Sequence, residues 1–62
     1  MNIKKIKTTR DTCDTSAKLI MYLVEQGDLD IDATLVDVLK VLTQRTSDFD
    51  ELLADKEYLK LH

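Results

Sequence analysis

The chain has 62 residues, a formal net charge of −3, no proline, one glycine and one cysteine. A chain of this length forms one domain at most and buries only about 60% of its unfolded surface, so an isolated monomer would be marginally stable. Cys13 has no partner for an internal disulfide, and one cysteine with one histidine cannot complete a zinc site without other ligand types or a second chain. Self-association remains as a source of stability, and we predict a homodimer.

The sequence predicts a soluble cytoplasmic protein that makes no membrane contact. A single cysteine is typical of a reducing compartment. The basic N-terminus is followed by polar residues, unlike a signal peptide, and the longest apolar run covers only residues 19–24. A membrane span needs roughly 20 apolar residues.

Charge is distributed unevenly along the chain. Residues 1–10 carry +4 with no acid, whereas residues 11–62 carry a net −7. Isoleucine, lysine and threonine dominate residues 2–9 and favour extended backbone, so we predict a basic extended arm over residues 1–10. The arm is either a solvated terminus or a contact for phosphate or an acidic partner. Its candidate nucleic-acid contacts are Lys4, Lys5, Lys7 and Arg10.

The body, residues 11–62, is predicted to be all-α, with helices at about 12–26, 32–45 and 48–60. Acidic and threonine residues at 11–15 suit a first helical turn, and Gly27 suits the left-handed residue that ends a helix. Asp30 or Asp32 is expected to cap the second helix. Ser47 with Asp50 resembles a new helix start, although one unbroken second helix is the rival interpretation.

Apolar residues extend around both central helices farther than a small monomer can bury, which predicts a helical hairpin that dimerises into a small bundle. The same residues are candidates for binding another protein. The predicted partner or dimer interface comprises Leu19, Ile20, Leu23, Val24, Leu35, Val38, Leu39 and Leu42.

Candidate chemistry is sparse, and we predict a protein that is not an enzyme, with no catalytic residues, no cofactor and no metal. Asp28, Asp30 and Asp32 match the opening of an EF-hand loop, but Ala33 replaces its glycine and Leu39 its bidentate glutamate. Helix capping accounts for these acids without a cation. No glycine-rich phosphate loop or nucleophile motif is present in the sequence.

The sequence therefore predicts a small acidic regulator or adaptor, of a kind common among phage and plasmid accessory factors. It would bind a protein of unknown identity through an apolar helix face rimmed by acids.

Two resemblances supply alternative functions. Residues 3–9, followed by two helices, somewhat resemble the layout of ribbon-helix-helix repressors, which implies a dimeric DNA-binding regulator that uses the basic arm. Residues 24–35 look similar to the turn of the exonuclease VII small subunit, which implies a non-catalytic subunit of a larger enzyme such as a nuclease.

Overall fold

A computed structural model describes the backbone of residues 2–61 and the side chains of residues 2–56. It contains two helices, α1 (Ile3–Glu25) and α2 (Ala33–Leu61), which pack against each other and are joined by a seven-residue loop, 26–32. No strand occurs in residues 2–61. The prediction of an all-α helical hairpin is confirmed.

The start of α1 differs from the predicted extended arm, because residues 3–10 belong to the helix. The Asn2 side chain caps it: the Lys5 amide donates to Asn2 Oδ1 at 2.8 Å. Ile3 and Ile6 then lie three residues apart on the side that faces α2, and Ile6 is fully buried. Thr9, a poor helix former in isolation, donates its hydroxyl to the Lys5 carbonyl at 2.8 Å.

The end of α1 agrees with the sequence prediction. Gly27 has a φ of 79°, in the left-handed region that residues with a Cβ rarely adopt. The Gly27 amide donates to the Val24 carbonyl at 3.1 Å, and the Asp28 amide donates to the Leu23 carbonyl at 3.0 Å. These two bonds form a Schellman motif, which satisfies carbonyls that the helix end would otherwise leave unpaired.

The second helix starts as predicted but does not break. Asp32 is its cap, since the Leu35 amide donates to Asp32 Oδ1 at 2.7 Å. The predicted helices 32–45 and 48–60 form one continuous helix through Thr46 and Ser47. The Thr46 hydroxyl donates to the Leu42 carbonyl within the same helix at 2.9 Å, so it is satisfied without a break.

The two helices meet along a seam of residues spaced alternately by three and four, the repeat that keeps a straight row facing a partner helix. Only Ile6 is fully buried among the described side chains, and the other seam residues are half-buried. The seam consists of Ile3, Ile6, Arg10, Cys13, Ala17, Ile20 and Val24 in α1, and Leu35, Leu39, Leu42, Thr46, Phe49, Leu53 and Lys56 in α2.

The hairpin is long and narrow, with extents of 48 × 17 × 16 Å. Its accessible surface is 4930 Å², whereas a compact monomer of this mass exposes about 4,100 Å². Two helices therefore leave much apolar surface without cover. Neither helix, over the described residues, has a stretch long and apolar enough to cross a membrane.

Candidate protein-interaction surfaces

The seam divides the hairpin into two long sides. Each step of one residue along an α-helix turns the side-chain direction by about 100°. The residue before a seam position therefore lies on one side of the seam, and the residue after it lies on the other side. Because the two helices are antiparallel, residues that precede seam positions in α1 lie on the same side of the hairpin as residues that precede seam positions in α2. Each side of the hairpin therefore has its own set of exposed residues.

The first side presents an aliphatic patch, which we call the flat face: Leu19, Leu23, Val38 and Val41. Each precedes a seam residue, and the antiparallel packing places the α1 pair beside the α2 pair. Leu19 is 56% exposed, Val38 40% and Val41 58%, while Leu23 is half-buried. Large apolar side chains this exposed, contributed by two helices, make this side a candidate interaction surface.

The opposite side carries a shallow groove of about 330 Å³, which we call the groove face. Tyr22 is 56% exposed, and Lys18 and Glu25 place opposite charges along the α1 edge. The full lining is Ala17, Lys18, Met21, Tyr22, Glu25, Leu39 and Thr43.

Acidic side chains surround the loop end of the hairpin. Residues 25–37 contain five acids and no base, and all five are exposed. They give this end a strongly negative field, which would attract a basic surface and repel an acidic one. The five are Glu25, Asp28, Asp30, Asp32 and Asp37.

The predicted interface residues separate into two groups. Leu19, Leu23 and Val38 belong to the flat face. The remaining five lie in the seam and are half-buried between α1 and α2: Ile20, Val24, Leu35, Leu39 and Leu42. The predicted residue set did not name Val41, Met21 and Tyr22, which are 58%, 42% and 56% exposed. The signal that could have found them is the apolar character that extends around both helices.

The four predicted nucleic-acid contacts all lie in the first turns of α1. Arg10 is a seam residue, and its Nε donates to Asp50 Oδ1 at 2.8 Å while its Nη1 donates to Asp11 Oδ1 at 3.1 Å. These bonds, led by the one to Asp50, raise the pKa of Arg10 above its usual value. Arg10 is thus engaged within the hairpin. Lys4, Lys5 and Lys7 have exposed side chains.

A second ion pair lies along α1, where Lys18 Nζ approaches Asp14 Oδ2 at 2.9 Å. The hydrogen bond from Lys18 holds the pKa of Asp14 below its usual value. The acid precedes the base by four residues, the favourable orientation with respect to the helix dipole.

Metal ligands are not assembled in the part of the chain that the structure describes. No three His, Cys, Asp or Glu side chains there are grouped closely enough to hold a metal ion. Cys13 is a half-buried seam residue with a free thiol. Comparison of the chain with protein-family models, curated proteins and solved structures gives no significant match.

Proposed function

We propose that the chain is a small non-catalytic adaptor or regulator that binds another protein through the flat face. The observation that carries this proposal is the exposure of Leu19, Val38 and Val41 together on one side of the hairpin. Burial of a leucine or valine side chain from full exposure is worth about 1.5–3 kcal/mol, so each of these side chains, 40–58% exposed, can contribute roughly half of that. The patch can therefore anchor a partner without any rearrangement of the hairpin.

The acidic side chains at the loop end favour a partner with basic residues on its binding surface. A helix or shallow groove with apolar anchors and flanking Lys or Arg residues would match both the flat face and the negative field next to it. Apolar contacts would supply most of the affinity, and the charges would speed association and exclude acidic competitors.

The DNA-binding alternative has less support. The ribbon-helix-helix layout needs an N-terminal strand, whereas residues 3–9 are helical here. Arg10 is engaged by Asp50, which lowers the number of cations offered to a phosphate backbone.

A designed probe tests the proposal without knowledge of the natural partner. The probe is a fluorescein-labelled amphipathic peptide of leucine and lysine, and its counterpart has glutamate in place of lysine. We expect fluorescence anisotropy to show binding of the leucine–lysine peptide only. Equal binding of the two peptides, or binding of neither, would contradict the proposal.

Two matched variants localise the binding. Leu19 and Tyr22 are both 56% exposed and lie on different sides of the hairpin. Leu19→Glu should weaken peptide binding about tenfold or more, whereas Tyr22→Glu, which adds the same charge, should leave it nearly unchanged. Equal effects of both variants would show that the flat face is not the binding surface.

A further inference from the structure

A row of alternating charges runs along the outer surface of α1, and two of its members, Lys18 and Glu25, line the groove face. Lys4, Asp11, Lys18 and Glu25 are spaced seven residues apart, and each follows a seam residue. All four side chains are exposed. Seven residues span about 10.5 Å of helix, so the row presents plus, minus, plus and minus over about 31 Å.

The charges of this row match those of a second copy only when the two α1 helices run in opposite directions. In an antiparallel pair of α1 helices, Lys4 meets Glu25 of a second copy and Asp11 meets Lys18 of that copy, and both contacts occur twice. In a parallel pair every charge meets a like charge, which is unfavourable. The centre of the row also coincides with the middle of α1, so reversed copies overlap over the whole helix.

Among the described residues, the two ends of the row have no counter-charge of their own. Neither Lys4 nor Glu25 forms an ion pair with another described residue. Both lie against the dipole of α1, whose first turn holds no acid and whose last turn holds no base. A reversed second copy would bring each of these ends to its opposite charge.

The dimensions of the hairpin suit this pairing. Two copies reversed about the middle of α1 overlap over the length of that helix, about 34 Å. With a width of 17 Å, the overlap has a projected area of about 580 Å², close to the roughly 600 Å² per partner that the smaller stable interfaces bury. The hairpin also exposes about 800 Å² more than a compact monomer of its mass. Tyr22 and Met21, on this same side, are residue types enriched at protein interfaces.

We propose that two copies of the chain form a symmetric dimer through the groove face, with their α1 helices antiparallel and Lys4 of each paired with Glu25 of the other. The flat faces then point outward in opposite directions. If the proposed function also holds, the dimer presents two partner-binding surfaces.

A charge exchange tests the pairing, with the mass of the full chain measured by sedimentation equilibrium over a concentration series. We expect wild type to dimerise, and expect Lys4→Glu and Glu25→Lys each to weaken dimerisation on the order of tenfold, because each dimer loses two pairs and gains two repulsions. The double variant should recover wild-type affinity. About 31 Å separates the two residues within one α1, so the recovery cannot arise within a single chain.

Helix content by circular dichroism is the control for folding. The single variants place acid at the start or base at the end of α1, where each charge is favourable for the helix dipole, so helix content should not fall. A wild-type chain that stays monomeric at millimolar concentration would overturn the proposal. A dimer that both single variants leave intact, or that the double variant fails to restore, would overturn the antiparallel pairing.

Different variants test the proposed partner binding and the proposed dimer, so one can be refuted without the other. Tyr22→Glu should weaken the dimer and spare binding of the leucine–lysine peptide, and Leu19→Glu should do the reverse. If Leu19→Glu dissociates the dimer and Tyr22→Glu does not, the flat face is the contact between copies and the groove-face proposal is refuted.

Discussion

The substitution Ile6→Ala tests whether the first turns of α1 are packed against α2. Ile6 is the one fully buried side chain among those the structure describes. Removal of three buried carbons loses about 2.4 kcal/mol of transfer free energy, and the cavity brings the expected loss to about 2–5 kcal/mol. The whole stability of a chain this size is about 3–9 kcal/mol.

The assay is thermal unfolding followed by circular dichroism at one fixed protein concentration, because association makes the midpoint depend on concentration. A loss of about 2 kcal/mol lowers Tm by roughly 10 °C or more in a domain this small. Ile31→Ala is the matched control, since Ile31 is 60% exposed in the loop and its truncation should cost less than about 0.5 kcal/mol.

Equal midpoints for Ile6→Ala and Ile31→Ala would refute the packing of residues 3–10. That result is the one expected from an extended, solvated arm, in which Ile6 contacts no other part of the chain.

Three further predictions concern the loop, an ion pair and nucleic acid. Gly27→Ala should lower Tm by about 4–16 °C, because a Cβ at a φ of 79° costs about 1–2 kcal/mol although nothing lies within 4 Å of it; an unchanged Tm would contradict the left-handed cap. The lowered pKa of Asp14 means that its ionised form stabilises the fold above the usual carboxyl pKa and that this contribution disappears as pH falls through the lowered value. Asp14→Asn should therefore lower Tm slightly at neutral pH and make no difference once pH is well below 3.8, as thermal melts at both pH values would show. Duplex DNA should not bind even at low salt, since the net charge is −3 and Arg10 is engaged; anisotropy that rises with protein and falls with salt would favour the DNA-binding alternative.

Local chemistry made the centre of the chain predictable. Gly27 and Asp32 each determine a helix end through bonds to residues no more than four positions away, so a single sequence contains the needed information. The aliphatic runs on either side of the loop then predict two helices that fold back on each other.

The halves of the helices that lie far from the loop could not be predicted from local sequence. Residues 3–10 combine isoleucine and threonine, which are poorer helix formers, with lysine and arginine, which are good ones. Propensity therefore did not decide their conformation, and the contacts that favour the helix come from α2, far along the chain. Thr46 looked like an interruption because it is polar, yet it continues the spacing of Leu42 and Phe49 along the seam. Arg10 and Cys13 obscured the same repeat in α1, so the flat face and the groove face could not be separated without the structure.

The position of Ile6 has a consequence for how the hairpin opens. Contacts near Gly27 close short segments of chain, whereas the bond from Arg10 to Asp50 closes 40 residues, which costs about 1 kcal/mol more in loop-closure entropy than a 10-residue closure. A two-helix hairpin would on that basis fray from its free ends. Here the deepest burial and the Arg10–Asp50 bond both lie in that half, so amide hydrogen exchange near Ile6 should be at least as slow as it is beside the loop.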